Sequence, residues 1–163
     1  AGNLNGTVGN NAAFDSLTVD GDTNLMVGAA LTANDLSTTN LVADADSAVI
    51  GDLTTTESQT ITVTNGLDVT NLVAGTDVAI DATDVTLGTT DIGGNLDATV
   101  GNDLTATTTN VAGNLNGTVG NNAAFDSLTV DGDTNLMVGA ALTANDLSTT
   151  NLEIGRASCR ERV

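Results

Sequence analysis

The chain has 163 residues, with 21 Asp or Glu against three Arg, no His, and a formal net charge of −18. All three cations, Arg156, Arg160 and Arg162, fall near the C-terminal end, so residues 1–152 carry nothing to neutralise phosphates, which excludes nucleic acid and anionic membrane surfaces as partners. The lack of histidine excludes imidazole acid–base chemistry and Ser-His nucleophilic triads.

From the first residue the chain repeats itself. Residues 1–41 recur letter for letter as 112–152, an offset of 111. A catalytic pocket needs one asymmetric constellation, whereas tandem copies suit length, reach and multivalent display. Two-residue alternation of aliphatic and polar residues begins at Leu17-Thr18-Val19. It continues through Ile61-Thr62-Val63, Leu67-Asp68-Val69, Val78-Ala79-Ile80 and Val85-Thr86-Leu87. Alternation of this kind predicts short strands. Their ends are marked by Asp20-Gly21, Asn65-Gly66 and Gly101-Asn102, pairs that tolerate positive φ and mark turns. No window has helical spacing, and β-branched Thr is abundant, so no significant helix is expected. Aromatics are confined to Phe14 and Phe125, and Pro, Trp and Tyr are absent. The periodic 40% of hydrophobic residues nonetheless favours order over disorder. The longest uncharged apolar runs are far too short for a membrane span, so no membrane insertion is expected.

A shorter period lies beneath the long one. Residues 94–102 overlay 113–121 at an offset of 19, and Asn-Leu pairs end at Leu96, Leu115, Leu136 and Leu152, spacings of 19, 21 and 16. This predicts an all-β fold, a parallel β-solenoid of about seven or eight short coils of roughly 20 residues. At ~4.8 Å per coil it would be about 35 Å long. Leu, Val and Ile would stack inside, and Asn and Thr at the turns would bond the neighbouring coil. Two rivals are a tandem antiparallel sandwich, disfavoured by the missing aromatic core, and a trimeric fibre sharing one core. Like charges one coil apart, ~5 Å, would cost about 0.8 kcal/mol per pair at water's dielectric constant. Salt or divalent cations are therefore expected to raise the melting temperature.

Several motifs approach known sites and then depart from them. Val19-Asp20-Gly21-Asp22-Thr23-Asn24, repeated at 130–135, has the alternating oxygens that open a calcium loop. Leu25 stands where that loop needs Gly, and Leu31 where it needs a bidentate Glu. Gly93-Gly94-Asn95-Leu96-Asp97 has Leu at the fourth position of a glycine-rich calcium repeat. Asp44-Ala45-Asp46 reads as a solvated acidic turn, and Asn5-Gly6-Thr7 and Asn116-Gly117-Thr118 are glycosylation sequons. Paired carboxylates could in principle hydrolyse glycosides. Every Asp of the repeat would then occur twice, however, with no Trp or Tyr to stack a sugar. The expectation is no enzyme, no catalytic, cofactor-binding or metal residues, and no cofactor, with weak nonspecific Ca²⁺ association the only ion binding.

The segments Asn71-Leu72-Val73-Ala74-Gly75-Thr76-Asp77-Val78, Ala82-Thr83-Asp84-Val85-Thr86-Leu87-Gly88 and Gly94-Asn95-Leu96-Asp97-Ala98-Thr99, within residues 67–110, resemble the repeats of filamentous-haemagglutinin-type giant adhesins. That resemblance implies a right-handed parallel β-helix on a bacterial surface, serving as a non-catalytic stalk. Leu4-Asn5-Gly6-Thr7-Val8-Gly9 and residues 13–25 are similar to phage tail-fibre shaft repeats, which would imply a virion fibre and a homotrimer. Neither resemblance supplies functional residues. The expected partners are further repeats of the same chain. Glu153-Ile154-Gly155-Arg156-Ala157-Ser158-Cys159-Arg160-Glu161-Arg162-Val163 resembles a translated sequencing adapter. The expected organisation is thus a solenoid over 1–152 and a non-native, disordered tail over 153–163, with Cys159 carrying no redox or metal role.

Overall fold

The computed structural model describes residues 2–155. Among them are eleven strands and no helix: β1 (Leu4–Val8), β2 (Ala12–Thr18), β3 (Thr23–Thr38), β4 (Leu41–Thr55), β5 (Gln59–Ala74), β6 (Val78–Ile92), β7 (Leu96–Val100), β8 (Leu104–Val111), β9 (Leu115–Val119), β10 (Ala123–Val138) and β11 (Leu142–Gly155). Every pairing is parallel, with each residue facing one 17 to 19 positions later, so the chain is a β-solenoid. Eight coils start at Leu4, Thr23, Leu41, Gln59, Val78, Leu96, Leu115 and Thr134.

The burial pattern of β5 explains the shape of one coil. Gln59, Ile61 and Val63 point inward, then Leu67 and Val69, then Leu72 and Ala74. Alternation slips at residues 64–66 and again at Thr70 and Asn71, where consecutive residues are not buried. Each slip turns the backbone through a corner, as does the loop at 75–77, so a coil has three sides and seven inward positions. The outer side chains meet water, whereas the backbone of interior coils is hydrogen-bonded on both sides by its neighbours.

Inward residues form ladders. One runs Leu17, Leu36, Leu53, Leu72, Thr90, Thr109, Leu128, Leu147 along the axis. Elsewhere a large side chain is set between small ones. Phe125 lies between Ala106 and Ala144, while Ala123 beside it lies between Leu104 and Leu142. Gly117 faces Leu136 in the same way, and a Cβ there would come within 2.5 Å of Leu136 Cδ2. Total volume per layer is thus kept with few aromatics.

Thr90 and Thr109 interrupt the leucine ladder. They are 0% and 1% exposed, and neither hydroxyl has a hydrogen-bond partner. Thr109 also borders an enclosed void of about 10 Å³ lined by Leu104, Leu115 and Phe125. A buried hydroxyl left unpaired costs about 1–3 kcal/mol. Thr90→Val and Thr109→Val are each expected to raise the unfolding free energy by about 1 kcal/mol, read from denaturant midpoints at unchanged m.

One expectation needs correction. Leu136 is not the successor of Leu115, because Thr134 faces Leu115 and Leu136 sits two residues further along the strand. The apparent spacings of 21 and 16 therefore resolve into 19 and 18, Leu115 to Thr134 and Thr134 to Leu152. Thr134 occupies an inward position because its hydroxyl lies 2.8 Å from that of Thr149. The Gly-containing corners turn without positive φ, which no described residue adopts. At the C-terminal end β11 runs past Leu152, placing Glu153, Ile154 and Gly155 against Asn135, Leu136 and Met137. Residues 156–163, Cys159 among them, lie outside the described residues.

Candidate functional site

The sequence repeats Asn, Asp or Ser immediately before the first strand of each coil, at positions 3, 22, 40, 58, 77, 95, 114, 133 and 151. Stacking brings these nine residues into one column along a corner. The side-chain oxygen of one residue accepts from the next coil. Asn3 Oδ1 takes the N–H of Asp22 at 3.0 Å, Asn40 Oδ1 that of Ser58 at 3.0 Å, and Asp77 Oδ1 that of Asn95 at 2.7 Å. Asn95 Oδ1 and Asn114 Oδ1 accept the N–H groups of Asn114 and Asp133, each at 2.8 Å. Corner backbone that lacks a strand partner is satisfied this way.

Amides also face carboxylates. Asn40 Nδ2 donates to Asp22 Oδ1 (2.8 Å) and to Glu57 Oε2 (3.0 Å), and Asn151 Nδ2 donates to Asp133 Oδ1 (2.6 Å). The same rung recurs elsewhere as Asn34 to Asp15, Asn71 to Asp52, Asn116 to Asp97 and Asn145 to Asp126. Hydrogen bonds to a charged acceptor are about twice as strong as neutral ones. The alternation also keeps carboxylates apart. Asp35 faces Asp52 directly. Asp84 stacks under Asp103, whose N–H it accepts at 3.2 Å while Asn102 donates to it at 2.9 Å. The repulsion expected from a stack of like charges is thus confined to few contacts, and the benefit of salt should come chiefly from screening the net charge of the whole surface. Asn114→Ala removes the acceptor for Asp133 N–H at an exposed corner that water can reach. It should cost about 1 kcal/mol, seen as a lower urea midpoint.

The side built from the first strands is the broadest outer surface. Its outward residues include Thr60, Asp97 and Asn116 in one column and Asp44, Thr62 and Asp81 in the other. Four shallow, open depressions of about 180 to 580 Å³ lie along it. Asp44 and Asp46 border one of them beside Met26, with Ala45 turned into the core. Both sequons fall here, with Asn5, Thr7, Asn116 and Thr118 outward and exposed. The calcium-loop residues do not converge. Asp22 is held by Asn3 and Asn40 in the corner column, while Asn24 points outward on β3. In the glycine-rich motif Asn95 serves as a ladder rung, Leu96 is buried, and Asp97 accepts from Asn116. Among the described residues no three His, Cys, Asp or Glu are grouped to hold a metal ion. What the surface offers is hydroxyls, amides and carboxylates that bind each other across coils.

The corner ladder is the expected stacking of Asn at the turns; what reading for Asn-Leu pairs missed is that Asp and Ser share the column. Counting Asn, Asp and Ser together before each first strand would have found it and set the register. No protein-family model, curated protein or solved structure matches the chain.

Proposed function

We propose that this chain is a spacer segment, a stalk element of a long extracellular surface adhesin whose product is length rather than chemistry. The observation that carries this reading is the unbroken run of eight coils in one register, cross-braced on the outside and sealed within. Each coil supports only its neighbours, so such a stack extends by repetition without redesign. The resemblance of residues 67–110 to giant-adhesin repeats supports the same reading.

A phage fibre shaft is the second reading, supported by the likeness of residues 4–25 to shaft repeats. All seven inward positions of a coil are filled by one chain, which favours a monomeric stalk over three chains sharing a core. Adding one more 111-residue unit tests the spacer reading. Leu4 and Leu115 hold the same place in coils 1 and 7, so the unit spans six coils. The maximum dimension in small-angle scattering should grow by about 29 Å at ~4.8 Å per coil, with the cross-section unchanged. Growth in all dimensions would refute the stalk. Labelling of intact source cells by antibodies to the chain tests the location, and a sedimentation mass of three chains would favour the fibre.

A further inference from the structure

The dipeptide Asn-Gly occurs at Asn5-Gly6, Asn65-Gly66 and Asn116-Gly117. The first and last lie within first strands, β1 and β9, whereas Asn65 stands at a corner of coil 4. That corner is longer than the corners stacked on either side of it. Between the paired positions Val63 and Leu67, coil 4 has Thr64, Asn65 and Gly66, where coil 3 has only Asp46 and Ser47 and coil 5 only Thr83 and Asp84. Gly66 faces Asp84, and the Thr83 hydroxyl donates to the Thr64 carbonyl at 2.6 Å, so Asn65 is the unmatched residue of a β-bulge. Its side chain is exposed and its amide has no hydrogen bond among the described residues. Nothing lies within 4 Å of a Cβ built on Gly66.

We propose that Asn65-Gly66 is a site of spontaneous covalent modification, where the folded chain converts asparagine to isoaspartate and aspartate without an enzyme. The Gly66 nitrogen gives up its proton and bonds to Asn65 Cγ, while the Cγ–Nδ2 bond breaks and Nδ2 leaves as ammonia. Water then opens the resulting succinimide at either carbonyl. The net reaction is amide plus water to carboxylate plus ammonium, with nothing oxidised or reduced. Closing the ring requires the Asn-Gly peptide to rotate out of its extended conformation. In a parallel ladder the carbonyl and N–H of one peptide point to opposite neighbours, so both coils resist that rotation. Asn116-Gly117 is held in this way, since β9 pairs with β7 on one side and β10 on the other, and Asn116 Nδ2 also donates to Asp97 Oδ1 at 2.8 Å. Residues 64–66 have no ladder partner in coil 3, so the Asn65-Gly66 peptide is released on that side. Isoaspartate lengthens the main chain by a methylene. The open bulge absorbs that insertion, whereas inside β9 it would shift the register of Thr118 and Val119 against both neighbours. Each conversion adds one negative charge to the corner.

The test is to hold the purified full chain for weeks at neutral pH, below its melting transition. Peptide mass spectrometry reads the amide-to-acid mass gain at each site, and protein isoaspartate methyltransferase labels the isoaspartate formed. Asn116 is the matched control, because it has the same following glycine and coils on both sides. Conversion at Asn65 should outpace conversion at Asn116 by roughly tenfold or more, since an interior strand reacts only while it is locally open. In concentrated urea the two rates should become similar. Gly66→Ala, whose added methyl has room, should suppress conversion at Asn65 while circular dichroism keeps its β signature. Equal rates in the folded chain overturn the inference. So does a preference for Asn65 that persists in urea, or undiminished conversion in the Gly66→Ala chain. The stalk reading stands or falls separately, on the elongation measured by scattering.

Discussion

Leu36→Ala should destabilise the fold by about 3 kcal/mol, within the range measured for Leu-to-Ala changes in packed cores, while Leu147→Ala should cost less than about 1 kcal/mol. The two leucines lie in identical local sequence, 111 residues apart, and both point into the axis. Strand propensity, side-chain chemistry and near neighbours along the chain are therefore matched. What differs is the layer above. Leu36 is sandwiched between Leu17 and Leu53 and is 1% exposed, whereas Leu147 rests on Leu128 without a further rung among the described residues and is 40% exposed. Denaturant unfolding of both variants, followed by far-UV circular dichroism at low protein concentration, isolates the contribution of one covering coil. Equal losses would mean that stacking does not hold this chain together.

The fold was legible because its inward positions are so uniform. Ile61-Thr62-Val63 and Leu67-Asp68-Val69 alternate as half-buried strands should, and the structure buries the first and third residue of each. The coil count was legible too, since an offset of 19 aligns residues 94–102 with 113–121 and the strands pair in that register. Register failed at Leu136, where a threonine stands at a position that a leucine holds one coil earlier. Hydrophobicity alone cannot flag Thr134 as inward, because its suitability depends on Thr149, brought to it by the closing of the coil.

The outer surface was less legible for a related reason. Composition gives eighteen Asp and one Glu without a cation over residues 1–152, and from that total repulsion follows. Whether carboxylates stack on each other depends on register, and register sets most of them against amides, as in Asn71 on Asp52 and Asn116 on Asp97. A shift of one residue would break every such rung and turn Leu and Val outward. The polar ladders and the aliphatic core thus specify the same alignment, which is how a chain of such low complexity avoids slipping along itself.

Glycine provides the second sharp test. Gly120→Ala should destabilise by about 2–3 kcal/mol, while Gly66→Ala should be neutral or stabilise by up to about 1 kcal/mol. Neither glycine has positive φ, so backbone conformation favours alanine at both positions. The difference is space. Three-residue corners stack on one another in coils 6 to 8, each opened by a Val-Gly pair, at Gly101, Gly120 and Gly139. A Cβ on Gly120 would strike the carbonyl oxygen of Gly101, which is backbone and cannot swing aside. Relieving the clash means parting the coils there and stretching the 2.8 Å bond from Gly120 N–H to the Val100 carbonyl. Around Gly66 nothing lies within 4 Å of the added atom, and the next coil already carries Asp84 at that position. The ordering of the two midpoints is the decisive measurement. If Gly120→Ala were as stable as Gly66→Ala, the coils could not be as closely stacked at that corner as the Gly101–Gly120–Gly139 column requires.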